Sequence, residues 1–380
     1  MYLKQLKLSN FKNYSDVDVE FCNNVNCLVG NNGVGKTNLL DALYYLSFCK
    51  SYFNPVDGQN IRQNQDFFAI HGYYLGLPSA ADPCSPVQVS LSLKKGQAKH
   101  LKFGGKPVGA FAEHVGRIPL VIITPSDQQL IIGGSDLRRK FVDGIISQVN
   151  RSYLQNLLRY QKAVEQRNRL LKTFADDRYF DEPSIEIWDQ QLVRSGGMIL
   201  QERRHFLEDF MPLFNQYFKW IATDTAEQAE ISYASTLQGT DADFEQQLKD
   251  ARQRDALLQY TTVGPHKDDL EFAIGGFGVK KFGSQGQQKT LLLALKLAQF
   301  QYINDRVGVK PILLLDDIFD KLDMLRVKRL VQLVGSDRFG QVFLSDTQPG
   351  RVEAIFEETP AVTHKIFHVE NGTLQCTHEQ

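Results

Sequence analysis

A glycine-rich segment near the start of the chain has the residue types and spacing needed to hold a phosphate chain. It fits the pattern Gly-x-x-x-x-Gly-Lys-Ser/Thr at every fixed position, and it is called the phosphate loop below. Its glycines let successive backbone N–H groups converge on phosphate oxygens. Lys36 is expected to reach the β- and γ-phosphates as a catalytic residue, and the Thr37 hydroxyl to bind Mg²⁺. The predicted nucleotide-binding residues of this segment are Gly30, Asn31, Asn32, Gly33, Val34, Gly35, Lys36, Thr37 and Asn38.

The flanking sequence predicts the local structure that this chemistry requires. The apolar stretch Val25–Val29 predicts a strand before the glycines, and residues 38–46 have the pattern of an amphipathic helix after them. The N-terminus of that helix adds a favourable dipole for an anion. The alternative is a glycine-rich turn that fits the pattern by chance. It is the less favoured interpretation, because a strand and a helix flank the turn in the right order.

Two adjacent carboxylates follow a second buried strand. Residues 312–315 form a continuous apolar run, typical of a buried parallel strand, and Asp316 and Asp317 come directly after it. Asp316 is predicted to hold Mg²⁺, directly or through water, and Asp317 to orient and deprotonate the attacking water. Taken alone, the pair fits an acidic turn equally well, but the phosphate loop upstream favours the catalytic interpretation.

A second anion site is predicted where a later helix begins, at Ser284, Gly286 and Gln287. This segment has no lysine loop of its own, so we expect it to complete a nucleotide site on another subunit, as in the ABC-type signature motif. Two active sites would then form only when two chains meet head to tail, with ATP between them, and hydrolysis would release the pair. Lys321–Asp323 lies where such ATPases have a subunit-contacting D-loop.

The bulk composition is that of an ordinary globular protein. The 380 residues are 42% hydrophobic and 23% charged, and no run approaches the roughly 18 apolar residues of a membrane span. The five cysteines are scattered without Cys-x-x-Cys pairs, which argues against a disulfide framework or a zinc site. This pattern and the lack of a signal peptide predict a cytoplasmic protein. The net charge of −1 excludes a uniformly basic nucleic-acid coat, but not a local basic surface.

The hydrophobic pattern divides the chain into an α/β part and a helical insertion. Strand patterns dominate residues 1–135 and return after residue 260, whereas glycine is scarce and amphipathic helical patterns dominate residues 136–260. We therefore predict a head domain formed by residues 1–135 and 261–380, interrupted by a helical domain formed by residues 136–260.

Several elements within these parts are also predicted. We expect strands at Tyr260–Val263 and Leu270–Ile274, a helix at Leu325–Val334, and breaks between the insertion helices near residues 176–183 and 224–240.

Longer runs of residues carry a family resemblance. Gly264–Asp269 (Gly-Pro-His-Lys-Asp-Asp) and Ser284–Lys289 (Ser-Gln-Gly-Gln-Gln-Lys) are the most specific, and Leu8–Tyr14, the phosphate loop and Leu130–Asp143 add to them. Over essentially its whole length the chain resembles the RecF family of ABC/SMC-type ATPases. The resemblance implies an ABC-type P-loop ATPase head, with a mixed sheet and flanking helices, and a short SMC-like helical arm.

The resemblance also implies ligands and partners. It adds Lys12 and Asn13 to the nucleotide-binding residues. RecF-like proteins bind DNA, chiefly double-stranded DNA and junctions beside single-stranded gaps. With RecO and RecR they help RecA replace single-strand-binding protein during gap repair and the SOS response. Binding of this chain to DNA would rest mainly on phosphate contacts, with strong salt dependence, and no membrane partner is expected.

Some interpretations stay open at this stage. One alternative function is a transporter ABC subunit, and another is an SMC-like defence ATPase linked to a nuclease. A third is a structural DNA clamp with negligible turnover, which the intact acid pair disfavours. His266 and Lys267 either belong to the functional site or only hold the turn beside the helix of the second anion site. The candidate DNA contacts, each equally compatible with a solvated surface or an internal ion pair, are Arg62, Lys94, Lys95, Arg138 and Arg139.

Overall fold

The computed structural model describes residues 1–78, 84–222, 228–237, 240–318, 330, 333, 335, 338–357 and 362–379. Contacts group the chain into two compact units, the first comprising residues 1–126 and 299–380 and the second comprising residues 127–298. The predicted helix at Leu325–Val334 and the predicted D-loop at Lys321–Asp323 lie wholly or largely outside the described residues.

The described elements are, in chain order, β1 (Tyr2–Phe11), β2 (Tyr14–Glu20), β3 (Val25–Val29), α1 (Lys36–Phe48), β4 (Phe67–Leu75), β5 (Val87–Lys94), β6 (His100–Phe103), β7 (Lys106–Pro107), β8 (Leu120–Ile123), α2 (Gln129–Ile132), α3 (Ser135–Val149), α4 (Arg151–Asp177), α5 (Glu182–Ala222), β9 (Ala229–Ala234), α6 (Asp241–Leu258), β10 (Asp269–Ile274), β11 (Phe277–Gly278), α7 (Val279–Phe282), α8 (Gln285–Val307), β12 (Ile312–Leu315), β13 (Val342–Asp346), α9 (Pro349–Glu357), β14 (His364–Glu370) and β15 (Thr373–Glu379).

The first unit contains a six-stranded mixed sheet whose order is β15-β14-β3-β13-β12-β8. All its strands except β15 run parallel to one another. Strands β3, β8, β12 and β13 are buried along their whole length, which explains their nearly continuous apolar sequences. Because the strands are parallel, the residues that follow β3, β12 and β13 meet at one edge of the sheet.

A second, antiparallel sheet completes the first unit, in the order β2-β1-β4-β5-β6-β7. Its strands alternate buried and more exposed residues, as in β4, because one face of the sheet packs on the core. Leu6 of β1, Leu43 of α1, Ile70 of β4 and Leu314 of β12 all belong to one buried apolar cluster. The two sheets and α1 therefore share a core, which fixes the start of α1 beside the end of β3.

The second unit combines the long helices α4, α5 and α6 with a three-stranded sheet of order β11-β10-β9. Asn150 caps the start of α4, where its side chain accepts a hydrogen bond from the Tyr153 N–H, and Arg178 caps its end in the left-handed conformation. Helix α5 spans 41 residues and continues through Pro212. The break predicted near residues 176–183 is confirmed, because α5 starts at Glu182.

One prediction of secondary structure in this unit is wrong. Tyr260–Val263 is a loop, in which the backbone N–H groups of Thr261 and Thr262 donate to Asn168 Oδ1 (2.7 Å) and Asp255 Oδ1 (2.9 Å). Its residue types favour a strand, but side-chain acceptors take the N–H groups that a strand pairing would need. The predicted break near residues 224–240 is confirmed, because α5 ends at Ala222 and α6 starts at Asp241, and it contains β9, which pairs antiparallel with β10.

The compact units and the predicted domains divide the chain at different points. Residues 127–135 and 261–298 group with the long helices rather than with residues 1–126. The pairing of β9 with β10 explains part of this grouping, because it joins residues 269–274 to a strand that lies between α5 and α6. The sequence-based division into a head and an insertion stays a prediction. In the part of the chain that the structure describes, no helix is both long and apolar enough to span a membrane.

Candidate nucleotide-binding site

The phosphate loop connects β3 directly to α1 in the first unit. Gly30, Gly33 and Gly35 have φ values of 150°, 82° and 120°, which side-chain-bearing residues rarely adopt. Lys36, the first residue of α1, is buried, and its ammonium group donates to the carbonyl oxygens of Gly30 (2.6 Å) and Asn31 (2.9 Å). The loop thus folds around its lysine, and its glycines supply the positive φ values found in loops that hold phosphates.

The turn between β1 and β2 supports this loop from one side. Asn13 donates from Nδ2 to the Val34 carbonyl (2.9 Å) and accepts from Asn38 Nδ2 (2.8 Å), and the Tyr14 hydroxyl donates to the Gly35 carbonyl (2.9 Å). A methyl group on Gly35 would lie 2.4 Å from Asn13 Nδ2, so this glycine is required for close packing. The sequence did not assign a role to Tyr14, although it lies within the run that carries the family resemblance.

Lys12 is engaged within the protein. Its ammonium group lies 2.5 Å from Asp41 Oδ2, and that carboxylate is fully buried. Asp41 also accepts hydrogen bonds from the Ser51 hydroxyl (2.6 Å) and the Tyr52 N–H (2.7 Å). The contact of Lys12 with a nucleotide stays a prediction, and its visible role is to anchor the β1–β2 turn to α1.

Asp316 and Thr37 lie together, as the magnesium prediction requires. The Thr37 hydroxyl is 3.0 Å from both carboxylate oxygens of Asp316, and the Ser345 hydroxyl donates to Asp316 Oδ1 (2.8 Å). A hydroxyl and a carboxylate are oxygen ligands of the kind Mg²⁺ takes beside phosphates, so the donor set fits this ion. Burial raises the pKa of the Asp316 carboxyl, although hydrogen bonds from Ser345 and Thr37 oppose the shift.

Asp317 has an unusual, constrained backbone conformation. Its φ of 49° lies in the left-handed region, and its N–H donates to Ser345 Oγ (2.9 Å). Ser345 therefore bridges both acids, accepting from one and donating to the other. The sequence did not assign a role to Ser345. Its place near the end of β13, which pairs with β12, brings it to the two acids.

The signature residues lie at the start of α8 in the second unit. The Ser284 N–H donates to Gln287 Oε1 (2.8 Å), and the Gln287 N–H donates to Ser284 Oγ (3.2 Å), which forms a reciprocal capping box. Ser284 is exposed, and a methyl group on Gly286 would meet only Ser284 Oγ, at 3.9 Å, among the described residues. The three residues thus form an accessible helix N-terminus, in a different unit from the phosphate loop.

Comparisons with known proteins assign the family. Residues 2–375 match the family model described as the RecF/RecN/SMC N terminal domain. A protein of Flavobacterium johnsoniae named DNA replication and repair protein RecF is 47% identical over 97% of this chain and 100% of its own length. The chain belongs to the RecF family. A protein of the same name from Bacteroides thetaiotaomicron is 42% identical over 98% of both chains.

Solved structures agree with this assignment to the RecF family. One described as the recombination mediator protein RecF-ATP in the RecFOR pathway is 27% identical, covers 99% of this chain and 98% of its own, and has a TM-score of 0.88. An Smc head domain from Pyrococcus furiosus matches with 17% identity and a TM-score of 0.58 over 99% and 96% of the two chains. The predicted fold class, an ABC-type ATPase head with a helical arm-like insertion, is confirmed.

The most specific run of this RecF-family chain, Gly264–Asp269, is built into the second unit. His266 Nδ1 lies 2.7 Å from the Tyr160 hydroxyl of α4, and His266 Nε2 lies 3.0 Å from the Thr261 carbonyl. Because the carbonyl can only accept, Nε2 carries the proton and Nδ1 accepts from Tyr160. Asp268 is buried and accepts from Ser235 (2.7 Å) and from the Tyr233 hydroxyl. These contacts favour the interpretation in which the run holds the turn.

The arginines beside this run are also engaged. Arg138 forms a bidentate pair with Asp269, through Nε (2.6 Å) and Nη2 (2.8 Å), and Arg139 donates to the Asp268 carbonyl (2.6 Å). Arg138 is buried, so its role is an internal ion pair. Lys94 and Lys95 are exposed at the end of β5 and stay predicted DNA contacts.

The free energy of unfolding is expected to fall with pH in the range where His266 is neutral in the folded chain and protonated in the unfolded chain. Burial lowers the pKa of His266 from 6.5 to about 4, so the unfolded chain binds a proton that the folded chain excludes. Exclusion of this proton contributes about 3 kcal/mol to the free energy of unfolding. The contribution is complete above pH 6.5 and is lost as the pH falls from 6.5 to 4. Urea unfolding of the wild type and His266→Gln at pH 7 and pH 5 measures this. We expect the variant to lose less stability than the wild type between these two values; equal losses would exclude His266 as the source.

Proposed function

We propose that this chain is an ATP-dependent DNA-binding protein of DNA replication and repair, which binds and hydrolyses ATP with Mg²⁺. Three features support the proposal: the phosphate loop around Lys36, the pairing of Thr37 with Asp316, and the names of its RecF relatives. The observation that carries it is the Thr37–Asp316 contact, because two residues 279 positions apart converge on one magnesium-type site.

The residues of this site divide the chemistry among them. Lys36 holds the β- and γ-phosphates once it exchanges loop carbonyls for phosphate oxygens, and the loop N–H groups bind the phosphate chain. Thr37 and Asp316 hold Mg²⁺, which neutralises charge on the phosphates when it is bound. Asp317 accepts the proton of the attacking water. Ser345, on the neighbouring strand, orients the Asp316 carboxylate and holds the backbone N–H of Asp317.

The exposed signature segment supports a shared active site. Ser284, Gly286 and Gln287 present a helix N-terminus of the kind that binds anions, but the segment carries no phosphate loop. We propose that it reaches the γ-phosphate of ATP held by a second copy, so that ATP favours a head-to-tail homodimer. ATP then binds the dimer better than the monomer, and hydrolysis releases the two copies.

The finer biology of this proposal is what the resemblance to the RecF family implies. We propose that the dimer clamps double-stranded DNA or single-strand/double-strand junctions and acts with RecO and RecR in loading RecA during gap repair and the SOS response. A slow, DNA-stimulated ATPase and a cytoplasmic location belong to the same proposal. Binding would weaken as salt rises, because phosphate contacts release counterions.

The shared site predicts that substitutions at two exposed helix caps have different effects on dimerisation. With ATP, Mg²⁺ and double-stranded DNA, the wild type should give the molar mass of a DNA-bound dimer in light scattering, whereas Ser284→Arg should stay monomeric and still bind ATP. Thr240→Arg is the matched control, because Thr240 caps α6 in the same unit with the same reciprocal pattern. It should lose some stability and still dimerise.

Other outcomes identify what is wrong. If the wild type stays monomeric with ATP and DNA, or if Ser284→Arg dimerises like the control, the signature segment does not complete a second site. The chain would then be a one-subunit ATPase whose partner supplies the missing groups. If the dimer forms on DNA and no ATP is hydrolysed, the alternative of a structural clamp is correct.

A further inference from the structure

The C-terminal hairpin runs beside the strand that leads into the phosphate loop. Strand β14 pairs in parallel with β3 along its length, from His364 opposite Val25 to His368 opposite Val29. The backbone of the next residue of β14, Val369, lies close to the first glycine of the loop. A methyl group on Gly30 would lie 2.5 Å from the Val369 carbonyl oxygen. The backbone of β14 thus limits where the phosphate loop can begin.

The turn of the same hairpin makes a second contact at the site. Gly372, which follows Asn371 in the turn between β14 and β15, is buried and has a φ of 78°. A methyl group on Gly372 would lie 3.0 Å from the Asn13 carbonyl oxygen. Asn13 in turn bonds to Val34 and Asn38 through its side chain. The hairpin therefore reaches the phosphate loop at both ends, at Gly30 directly and at Val34–Gly35 through Asn13.

We infer that this hairpin positions the phosphate loop for nucleotide, and that Gly372 is a positioning residue for ATP. The inference rests on the ATP binding proposed above. A side chain at position 372 must push the Asn13 backbone away by a few tenths of an ångström, because the contact is already tight. Asn13 would carry this shift to the Val34 carbonyl and to Asn38, where the loop meets the first turn of α1. Gly372 does not itself touch the phosphates.

The test compares two glycines that share one backbone conformation. Gly105, in the turn between β6 and β7 of the same unit, also has a φ of 78°, and a methyl group there would meet nothing within 4 Å among the described residues. Gly372→Ala and Gly105→Ala therefore carry the same backbone strain, and only the first adds a contact with Asn13. We expect both to lower the Tm by similar amounts. We expect only Gly372→Ala to weaken ATP binding, by about tenfold.

A second pair of variants separates strain from contact. Asparagine tolerates the left-handed conformation better than alanine does, so Gly372→Asn and Gly105→Asn should recover much of the Tm. If Gly372 acts by position, Gly372→Asn should still bind ATP weakly while Gly105→Asn binds as the wild type does. Equilibrium titration with a fluorescent ATP analogue and Mg²⁺, below the Tm of every variant, gives these affinities.

The outcomes distinguish a failure of the inference about Gly372 from a failure of the proposed ATP binding. If the wild type and Gly105→Ala bind ATP equally and Gly372→Ala binds it as well as they do, the hairpin is only structural and the inference fails alone. If affinity follows the Tm in all four variants, strain rather than the Asn13 contact is responsible, and the inference also fails. If the wild type itself does not bind ATP, the proposed function fails and the inference falls with it.

Discussion

Replacing Asp317 with asparagine is expected to stop ATP hydrolysis while leaving ATP binding nearly unchanged. Asparagine keeps the shape of the side chain, but its amide cannot accept a proton from water at neutral pH. The loss of a general base reduces turnover by about 10²- to 10⁴-fold. The phosphate contacts of Lys36 and the loop are untouched by the change. Single-turnover phosphate release and equilibrium ATP titration measure the two properties separately.

Asp316→Asn is the informative comparison, because it changes the neighbouring acid. Asp316 contacts Thr37 and accepts from Ser345, so its replacement should weaken Mg²⁺-dependent ATP binding as well as turnover. Asp305→Asn, at an exposed acid of α8, should change neither property. If Asp317→Asn turned over at the wild-type rate, the water would be activated by another group, and the assignment of Asp317 would be wrong.

The two halves of the candidate site were predictable because each is a local sequence pattern. A glycine-rich turn between a strand and a helix, and an apolar strand ending in two acids, can each be recognised without knowing the rest of the fold. Parallel pairing then brings the strand ends to one edge, which is why Thr37 and Asp316 meet. Ser345 was missed because a single serine after an apolar run has no distinguishing pattern. Its role depends on β13 lying next to β12.

The second unit was harder to predict because its contacts join segments that are far apart in the sequence. Strand β9 has a short alternating pattern, and only its pairing with β10 makes it a strand. Tyr260–Val263 has strand-forming residues, and only the acceptors Asn168 and Asp255 on two helices make it a loop. An internal ion pair was an open alternative for Arg138, but the charge pattern alone did not choose between that pair, formed with Asp269, and a DNA contact.

Arg167→Met is expected to cost about 3–5 kcal/mol of the free energy of unfolding, because it leaves the buried Asp255 without the cation that it pairs with. Arg167 is fully buried in α4 and donates to Asp189 Oδ1 of α5 and to Asp255 Oδ2 of α6, both at 2.6 Å. It also donates to the Thr261 hydroxyl (3.1 Å), in the loop that precedes Gly264. Methionine keeps an unbranched side chain in the space and removes only the charge and the donors. Urea unfolding, with the slope of the transition held equal, measures the loss.

Two further variants make this expectation specific to the buried charges. Arg252→Met removes a second, partly exposed partner of Asp189 while Arg167 stays in place, so it should cost less, about 1–2 kcal/mol. Adding Asp255→Asn to Arg167→Met removes one uncompensated charge and should restore part of the loss. If Arg167→Met cost no more than Arg252→Met, the three helices would be held mainly by apolar packing. A large loss with partial recovery would instead identify the Arg167 network as the tie between α4, α5, α6 and the loop before Gly264. ATP affinity should then stay unchanged wherever the variant is folded, because the phosphate loop belongs to the first unit.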